Sequence, residues 1–201
     1  MRRIAILMGA LVLATAGEAG TYRQIHNEDA CSARGTAHPE LMINGCLQSI
    51  NTGQLPPDAL AGAWSNIGAA YVRLQQDDKA VEAFGYAIKA SPDFWAPYVN
   101  RGGVYFRQGH YDLAAADYDA ALRAKPGRAG TYRDRGEAYL ALKKYDAAIA
   151  DYSEAIRIEP DNAESYGMRA KAYDGKGQAD LAAADRVKLK ELDPDNTTGL
   201  R

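Results

Sequence analysis

Apolar side chains recur along this chain with the three- and four-residue spacing of amphipathic helices. Trp64, Ile67 and Tyr71 follow this spacing in one stretch, and Phe84 and Ile88 follow it in the next. Such spacing places the apolar side chains on one face of each helix. The pattern therefore predicts an all-α protein whose helices come in pairs.

The helix pairs repeat every 34 residues. Four prolines mark the period, and each would stop a second helix because it cannot donate the next backbone hydrogen bond. They are Pro92, Pro126, Pro160 and Pro194. Aspartates recur at the start of each second helix, where we expect a carboxylate to accept hydrogen bonds from the free amide groups and to favour the positive end of the helix. They are Asp78, Asp112, Asp146 and Asp180.

Aromatic and small residues occupy fixed columns of this repeat. The aromatic columns are Trp64, Tyr98, Tyr132 and Tyr166, and Tyr71, Tyr105, Tyr139 and Tyr173. The small columns include Gly68, Gly102, Gly136 and Ala170, and Ala80, Ala114, Ala148 and Ala182. Small residues let two helix backbones approach closely, and the rings fill the space around that contact.

These columns resemble the signature of the tetratricopeptide-repeat (TPR) family. The resemblance covers residues 61–196 and implies a right-handed superhelical solenoid of four helix-turn-helix units with an extra N-terminal helix. The expected units are 61–94, 95–128, 129–162 and 163–196, followed by a short polar tail, 197–201. The family binds other proteins, so a protein or peptide partner is expected.

The first nineteen residues have the build of a signal peptide. Arg2 and Arg3 precede an apolar run, and small residues then offer cleavage after either Ala16 or Ala19. The run is shorter than the roughly twenty residues that cross a bilayer. We expect a periplasmic or secreted protein after cleavage, without a membrane span.

Residues 20–60 are predicted to form an N-terminal helical cap. Leu41, Met42 and Leu47 have helical spacing, and Cys31 and Cys46 are the only two cysteines. An even number of cysteines in an oxidising compartment favours a disulfide between them. Two unpaired thiols are the alternative.

Arginine and aspartate appear together in three units and are absent together from the first. Units two to four carry Arg101 with Asp117, Arg135 with Asp151, and Arg169 with Asp185. The first unit has Ile67 and Ala83 at those places. We infer that each Arg pairs with the Asp of its own unit, and independent exposed charges are the alternative. In the fourth unit, Arg186 and Lys190 replace apolar residues, which predicts that the second helix there faces water.

Charge and candidate chemistry point away from nucleic acid and catalysis. The chain has 24 basic and 26 acidic side chains, whereas nucleic-acid binding normally needs a basic excess. His26, His38 and His110 lie in separate segments, and the cysteines lack redox-motif spacing. We therefore expect no catalytic residues, no metal and no cofactor. A periplasmic hydrolase or redox helper is the alternative from another class.

The resemblance also implies a concave groove lined by the first helix of each unit. The expected groove residues are Asn66, Arg73, Val99, Asn100, Phe106, Arg107, Arg133 and Leu140. Their basic and apolar character suits an extended or helical segment with some acidic residues. The predicted function is a scaffold or adaptor in the bacterial cell envelope. A self-associating structural solenoid is the alternative, although a monomer is favoured.

Overall fold

A computed structural model describes Cys31 and residues 38–195 of the chain. Over these residues it contains nine α-helices and no strand. Helix α1 (Pro39–Asn51) stands alone ahead of four pairs. The pairs are α2 (Pro57–Arg73) with α3 (Asp77–Ala90), α4 (Trp95–Arg107) with α5 (Tyr111–Ala124), α6 (Ala129–Ala141) with α7 (Tyr145–Ile158), and α8 (Ala163–Gly175) with α9 (Ala179–Leu192). The predicted all-α fold of four units and one extra helix is confirmed. The predicted signal peptide, 1–19, and tail, 197–201, lie outside the described residues.

The helix pairs stack in chain order into a superhelical solenoid. The two helices of each unit pack on each other, and each second helix packs on the first helix of the next unit. The first helices of successive units also contact one another, which places α2, α4, α6 and α8 along the inner side. Helix α1 packs on α2 as a preceding second helix would.

Glycine notches hold the two helices of a unit together. The Phe84 ring lies so close to Gly68 that a Cβ added there would be 2.5 Å from it. Tyr118 fills the equivalent notch at Gly102, where the added Cβ would lie 2.9 Å from the ring. The third unit repeats the arrangement. In the fourth unit, Ala170 stands in the glycine column and exposed Arg186 stands in the column of the rings. The methyl group of Ala170 fits because no ring packs against it, so the two columns change together.

The aspartates at the second helices do not cap them as predicted. Each is the second residue of its helix, and no side-chain cap hydrogen bond forms at α3, α5, α7 or α9. The carboxylates do lie in the first helical turn, where the helix dipole favours negative charge as predicted. The turn between the helices has a left-handed residue in every unit. These residues are Gln75, Gly109, Lys143 and Gly177.

The joint between α1 and the first unit is apolar. Met42, Ile43 and fully buried Cys46 pack against Ile67 and Ala83. Cys46 forms a disulfide with Cys31, and their Cα atoms are 4.5 Å apart. Helix α2 begins at Pro57, four residues ahead of the predicted boundary at 61. This extra helical turn gives α1 a longer surface to pack on.

At the other end, the second helix of the fourth unit presents charge to solvent. Arg186 and Lys190 are exposed, as the sequence predicts for the last unit of a stack. Leu181 and Val187 are exposed on the same helix.

Candidate functional site

Four of the predicted groove residues line one pocket on the inner side of the first two units. Arg73 lies on α2, and Val99, Asn100 and Arg107 lie on α4. The pocket has a volume of about 390 Å³. The other lining residues are Ala69, Val72, Phe84, Gly103, Tyr118 and Asp134.

Two aromatic residues of the pocket belong to second helices and were not predicted as groove residues. Phe84 of α3 and Tyr118 of α5 reach the inner side because their rings pass beneath Gly68 and Gly102. The sequence signal that could have identified these two residues is the presence of a glycine and an aromatic residue together in the same unit. The glycine notches thus serve packing and also supply the floor of the pocket.

The rim of the pocket carries charges of both signs. Arg107 donates from Nη2 to Asp77 Oδ1 at 2.7 Å, which links the second unit to the first. Asp134 reaches the same pocket from α6. Burial raises the pKa of the Asp134 carboxyl to about 6, although the nearby Arg133 guanidinium opposes this shift. The positive charge of Arg133 therefore does not fully offset the cost of burying the Asp134 carboxylate.

The other four predicted groove residues do not line this pocket. Asn66 donates from Nδ2 to the Cys31 carbonyl at 2.7 Å, so Cys31 occupies this position of the inner side. Arg133 donates to Glu159 Oε2 at 2.5 Å. Phe106 packs edge-on against the ring of a neighbouring tyrosine, and Leu140 packs with the core of units three and four.

The first helices of the third and fourth units carry three acidic residues, Asp134, Glu137 and Glu164. The negative charges of these three residues and of Asp151 disfavour ionisation of the Tyr152 hydroxyl. That hydroxyl is buried and has no hydrogen-bond partner among the described residues. Burial first, and then the charges of Glu137 and Glu164, raise the pKa of Tyr152.

The predicted Arg–Asp pairs form within the second, third and fourth units. Each Arg donates from Nε and Nη2 to both carboxylate oxygens of its partner. The Nη2–Oδ1 distance is 2.7 Å in Arg101–Asp117, Arg135–Asp151 and Arg169–Asp185. These hydrogen bonds raise the pKa of each guanidinium.

Two of the arginines also reach the preceding unit, which the sequence analysis did not anticipate. Arg135 donates from Nη1 to Asp119 at 2.9 Å, and Arg169 donates from Nη1 to Ser153 at 3.0 Å. The acceptors lie two residues beyond the aspartate that pairs with the arginine of the preceding unit. Each of these arginines therefore fixes both the helix pair of its own unit and the joint between units.

The described part of the chain holds neither a candidate metal site nor a candidate membrane span. Within Cys31 and residues 38–195, no group of three or more His, Cys, Asp or Glu side chains could hold a metal ion. None of the helices described above is long and apolar enough to cross a membrane.

The stacked pairs and the lined inner side define the class of helical-repeat solenoids. Family profiles for the tetratricopeptide repeat match residues 66–129 and 163–196, and one for the TPR repeat matches residues 136–177. The chain is therefore a tetratricopeptide-repeat protein over these residues.

Solved structures of MamA are similar to this chain in fold. One MamA crystal structure gives a TM-score of 0.71 at 20% identity, covering 80% of this chain and 91% of that one. MamA 41-end from Desulfovibrio magneticus RS-1 gives a TM-score of 0.70 at 22% identity, covering 83% and 91%. No curated protein matches the sequence. At these identities the likeness shows the fold.

Proposed function

We propose that this protein is a non-enzymatic scaffold of the bacterial cell envelope that binds a peptide segment of a partner protein on its inner groove. The observation that carries the proposal is the pocket between the first two units. It combines an aromatic and aliphatic floor with Asn100, Arg73 and Arg107 at its rim. Such a combination of apolar surface and a few polar groups is typical of a binding site.

The groove is suited to a peptide because its walls are already fixed. Val72 and Val99 lie on stacked helices, and Phe84 and Tyr118 are held in glycine notches. Little ordering of the protein is needed on binding, so less of the interaction energy is lost to conformational entropy.

Export is supported by the N-terminal sequence and by the disulfide. The Cys31–Cys46 bond is of a kind that persists in oxidising compartments. Mass spectrometry of the N-terminus, on protein purified from its natural host, tests this part of the proposal. We expect a chain that begins after Ala16 or Ala19, whereas an intact N-terminus in the cytoplasmic fraction would contradict export.

A larger side chain placed in the pocket tests whether the groove binds a peptide. A Cβ added at Gly103 has its nearest neighbour, the Tyr118 hydroxyl, at 3.9 Å, so Gly103→Leu projects into the pocket without distorting the helices. The control is Ala116→Leu, which places the same side chain at an exposed position of the neighbouring second helix. Both variants should retain the wild-type circular dichroism.

Peptides for this test are selected from a displayed library of random twelve-residue sequences on the mature wild-type chain. We expect Gly103→Leu to weaken the selected peptides by at least about tenfold, because a side chain would replace the bound segment. Ala116→Leu should bind them like wild type. Equal binding by all three proteins would place the binding surface elsewhere.

Self-association is the second candidate function, favoured by the exposed apolar residues of α9. Leu181 and Val187 are 48% and 60% exposed. Light scattering after size-exclusion chromatography separates the two candidates. A dimer that Val187→Lys converts to a monomer would favour self-association, and a monomer at all concentrations would exclude it.

A further inference from the structure

We propose that the first unit binds an arginine side chain of a partner protein in an aromatic cage, formed by the rings of Trp64, Tyr71 and Tyr86 and the carboxylate of Glu82. These side chains line a cavity of about 360 Å³ that α1, α2 and α3 enclose together. Ligand sites commonly have volumes of about 300–1,000 Å³. The cage is a second site beside the inner groove, so neither proposal depends on the other.

The cage and the groove pocket lie on opposite faces of α2. Trp64, Ile67 and Tyr71 line the cage, whereas Ala69 and Arg73 line the groove pocket. With about 3.6 residues in each helical turn, the two sets point in opposite directions from the helix axis. The two cavities share no lining residue. A ligand in the cage therefore leaves the groove open.

Two rings of the cage belong to columns that hold a guanidinium in later units. In the third unit, Arg135 Cζ lies 5.7 Å from the centre of the Tyr132 ring and 5.8 Å from that of Tyr139. In the fourth unit, Arg169 Cζ lies 5.6 and 5.9 Å from the two equivalent rings. A cation within about 6 Å of a ring centre is attracted by the electrons of the ring face. The two aromatic columns thus form a guanidinium site in these units.

The first unit keeps both rings and has no guanidinium of its own. Trp64 and Tyr71 stand in the two aromatic columns, but Ile67 stands in the Arg column and Ala83 in the Asp column. Ile67 and Ala83 both line the cavity, so it opens where a later unit places its ion pair. The two rings are therefore available to a guanidinium from another molecule.

Glu82 and Tyr86 add a carboxylate and a third ring that the second unit lacks. The Tyr86 ring centre lies 4.7 Å from that of Trp64, and the Tyr86 hydroxyl donates to Glu82 Oε1 at 2.8 Å. The second unit has Ala116 and Ala120 at the equivalent positions. Tyr86 is 44% exposed, so a partner can reach the cage from solvent. Glu82 thus offers a ligand the negative charge that the missing aspartate supplies in later units.

The Glu82 carboxylate forms no ion pair with any described residue. Its Oε1 atom accepts from Tyr86, and Oε2 has no donor in the described part of the chain. Lys79, three residues earlier, donates instead to Gln76 Oε1 at 2.9 Å. A guanidinium in the cage would give Glu82 a charge-assisted hydrogen bond, which is stronger than a neutral one.

Lys79 does not exclude a guanidinium from the cage. Its Nζ lies 5.5 Å from the centre of the Tyr71 ring. In the third unit, the equivalent ring of Tyr139 accepts two cations, with Lys144 Nζ at 5.9 Å and Arg135 Cζ at 5.8 Å from its centre. One tyrosine ring of this column therefore accommodates a lysine and a guanidinium together.

Arginine suits the cage because its guanidinium is planar and donates in several directions. It can stack on a ring of the cage while it donates to Glu82 Oε2. Arginine and aromatic residues are also enriched in protein–protein interfaces, and buried arginines are frequent hot spots there. We therefore take the ligand to be an arginine that a partner protein presents on its surface.

Nuclear magnetic resonance of the mature chain tests the cage directly. Trp95→Phe leaves Trp64 as the sole tryptophan, so that one indole N–H signal reports on the cage. The probes are N-acetylarginine methylamide and its citrulline analogue, which has nearly the same shape and no charge. We expect the arginine probe to shift the Trp64 signal saturably and the citrulline probe to bind at least about tenfold more weakly.

Two exposed side chains of the cage are then changed in this reporter protein. Glu82→Gln removes the carboxylate, and Tyr86→Ala introduces the residue of the second unit. Each should weaken binding of the arginine probe by at least about threefold and leave the circular dichroism unchanged. The control Glu154→Gln removes an exposed carboxylate from the third unit and should leave the Kd unchanged.

Restoring the ion pair of the later units should close the cage. Ile67→Arg with Ala83→Asp supplies a guanidinium from the chain itself, so binding of the arginine probe should fall by at least about tenfold. Because both residues are buried, the two exposed variants decide the question if this double variant does not fold.

The source of the arginine is tested with free arginine and with the displayed library. Peptides selected on Gly103→Leu, whose groove pocket is filled, should be enriched in Arg, and adding Tyr86→Ala should remove this enrichment. A library without Arg enrichment contradicts a protein partner. Free arginine that binds more than about tenfold tighter than the blocked probe would identify the amino acid itself as the ligand.

Failure of the cage and failure of the groove are distinguishable. Equal binding of the arginine and citrulline probes overturns the cage, as does binding that survives both Glu82→Gln and Tyr86→Ala. The groove is judged separately, by the effect of Gly103→Leu on peptides selected with the wild type.

Discussion

The joint at the start of the solenoid and the joints within it solve the same packing problem differently. Where α1 packs on the first unit, Ile67 and Ala83 meet Met42 and Cys46 in an apolar core. Where one repeat unit packs on another, Arg135 takes the place of Ile67 and bonds to Asp151 and Asp119. The column of the first helix that holds Ile67 or Arg135 is therefore apolar where α1 precedes the unit and charged where another repeat unit precedes it.

This difference shows that the ion pairs are fitted to repeated neighbours. A guanidinium can donate in several directions, so one Arg fixes its own unit and the preceding one. Helix α1 is not a repeat unit, and its joint uses apolar burial and a disulfide instead. The directional contacts of Arg135 and Arg169 give a defined geometry to the joints between the second and third units and between the third and fourth. An apolar joint could supply similar stability, but it would fix the relative orientation of the two units less strictly.

The largest effect is expected from removing one partner of an internal ion pair. Asp151→Ala leaves the Arg135 guanidinium, whose side chain is 17% exposed, without its main acceptor. We expect a loss of about 3 kcal/mol in the free energy of unfolding. The double variant Arg135→Ile with Asp151→Ala copies the first unit and should lose less than about 1 kcal/mol. Urea denaturation measures both.

The exposed pair Arg157–Glu154 provides the control for that experiment. Glu154→Ala should change stability by less than the internal variant, because water solvates both charges of this pair. If the double variant is as unstable as Asp151→Ala alone, the internal joints need charge and the comparison with the first unit is wrong.

Removing the disulfide should weaken the first joint alone. Cys31→Ser opens a loop whose ends are 15 residues apart in sequence, which costs about 2–3 kcal/mol. Hydrogen exchange should show lost protection in α1 and α2 and retained protection in α6 to α9, since each unit contacts mainly its neighbours. A uniform loss over all helices would mean that the joints unfold together.

Neutralising Asp134 should stabilise the protein in a pH-dependent way. The folded pKa of about 6 lies above the ordinary value of 3.8, so the folded state resists ionisation. Stability is therefore lost as pH rises from about 4 through 6. Asp134→Asn should add about 2 kcal/mol at pH 7.5 and nothing at pH 3.5. Thermal unfolding at both pH values measures this, and an equal effect at both would contradict a raised pKa.

The glycine notch should be tighter in the first unit than in the third. An added Cβ lies 2.5 Å from the Phe84 ring at Gly68 and 3.0 Å from the Tyr152 ring at Gly136. We expect Gly68→Ala to cost about 1–2 kcal/mol and Gly136→Ala less. Gly62→Ala is the matched control, because nothing lies within 4 Å of its added Cβ. It should stabilise the helix by about 0.5–1 kcal/mol in chemical denaturation.

The smallest effect is expected in the turns. Gln75 and Lys143 both adopt a φ of 57°, which glycine tolerates better than other residues. Gln75→Gly and Lys143→Gly should each raise the free energy of unfolding by about 0.5 kcal/mol or less, since glycine also gains entropy when unfolded. The two values should agree, because the turns lie away from the joints. Unequal values in urea denaturation would link the turns to the joints.

Much of the fold could be predicted because its causes are local and repeated. The spacing of Trp64, Ile67 and Tyr71 requires only the helical period, and four copies of the pattern exclude coincidence. Arg and Asp are both absent from their columns in the first unit, and this predicted that they pair in the other units. Half of the expected groove residues line one pocket. The role of the aspartates as helix caps was wrong, because the second helices begin one residue ahead of them.

The sequence alone determined the helices, the repeat, the notches and the pairs within units, since each depends on residues one or two helices apart. The tertiary structure decided which side chains converge on the inner side. It brought Asp134 and Arg107 into one pocket, placed the Cys31 carbonyl on Asn66, and turned Arg135 towards Asp119. These contacts depend on the angle between successive units. That angle follows from the packing of many side-chain volumes, which no single column of the repeat records.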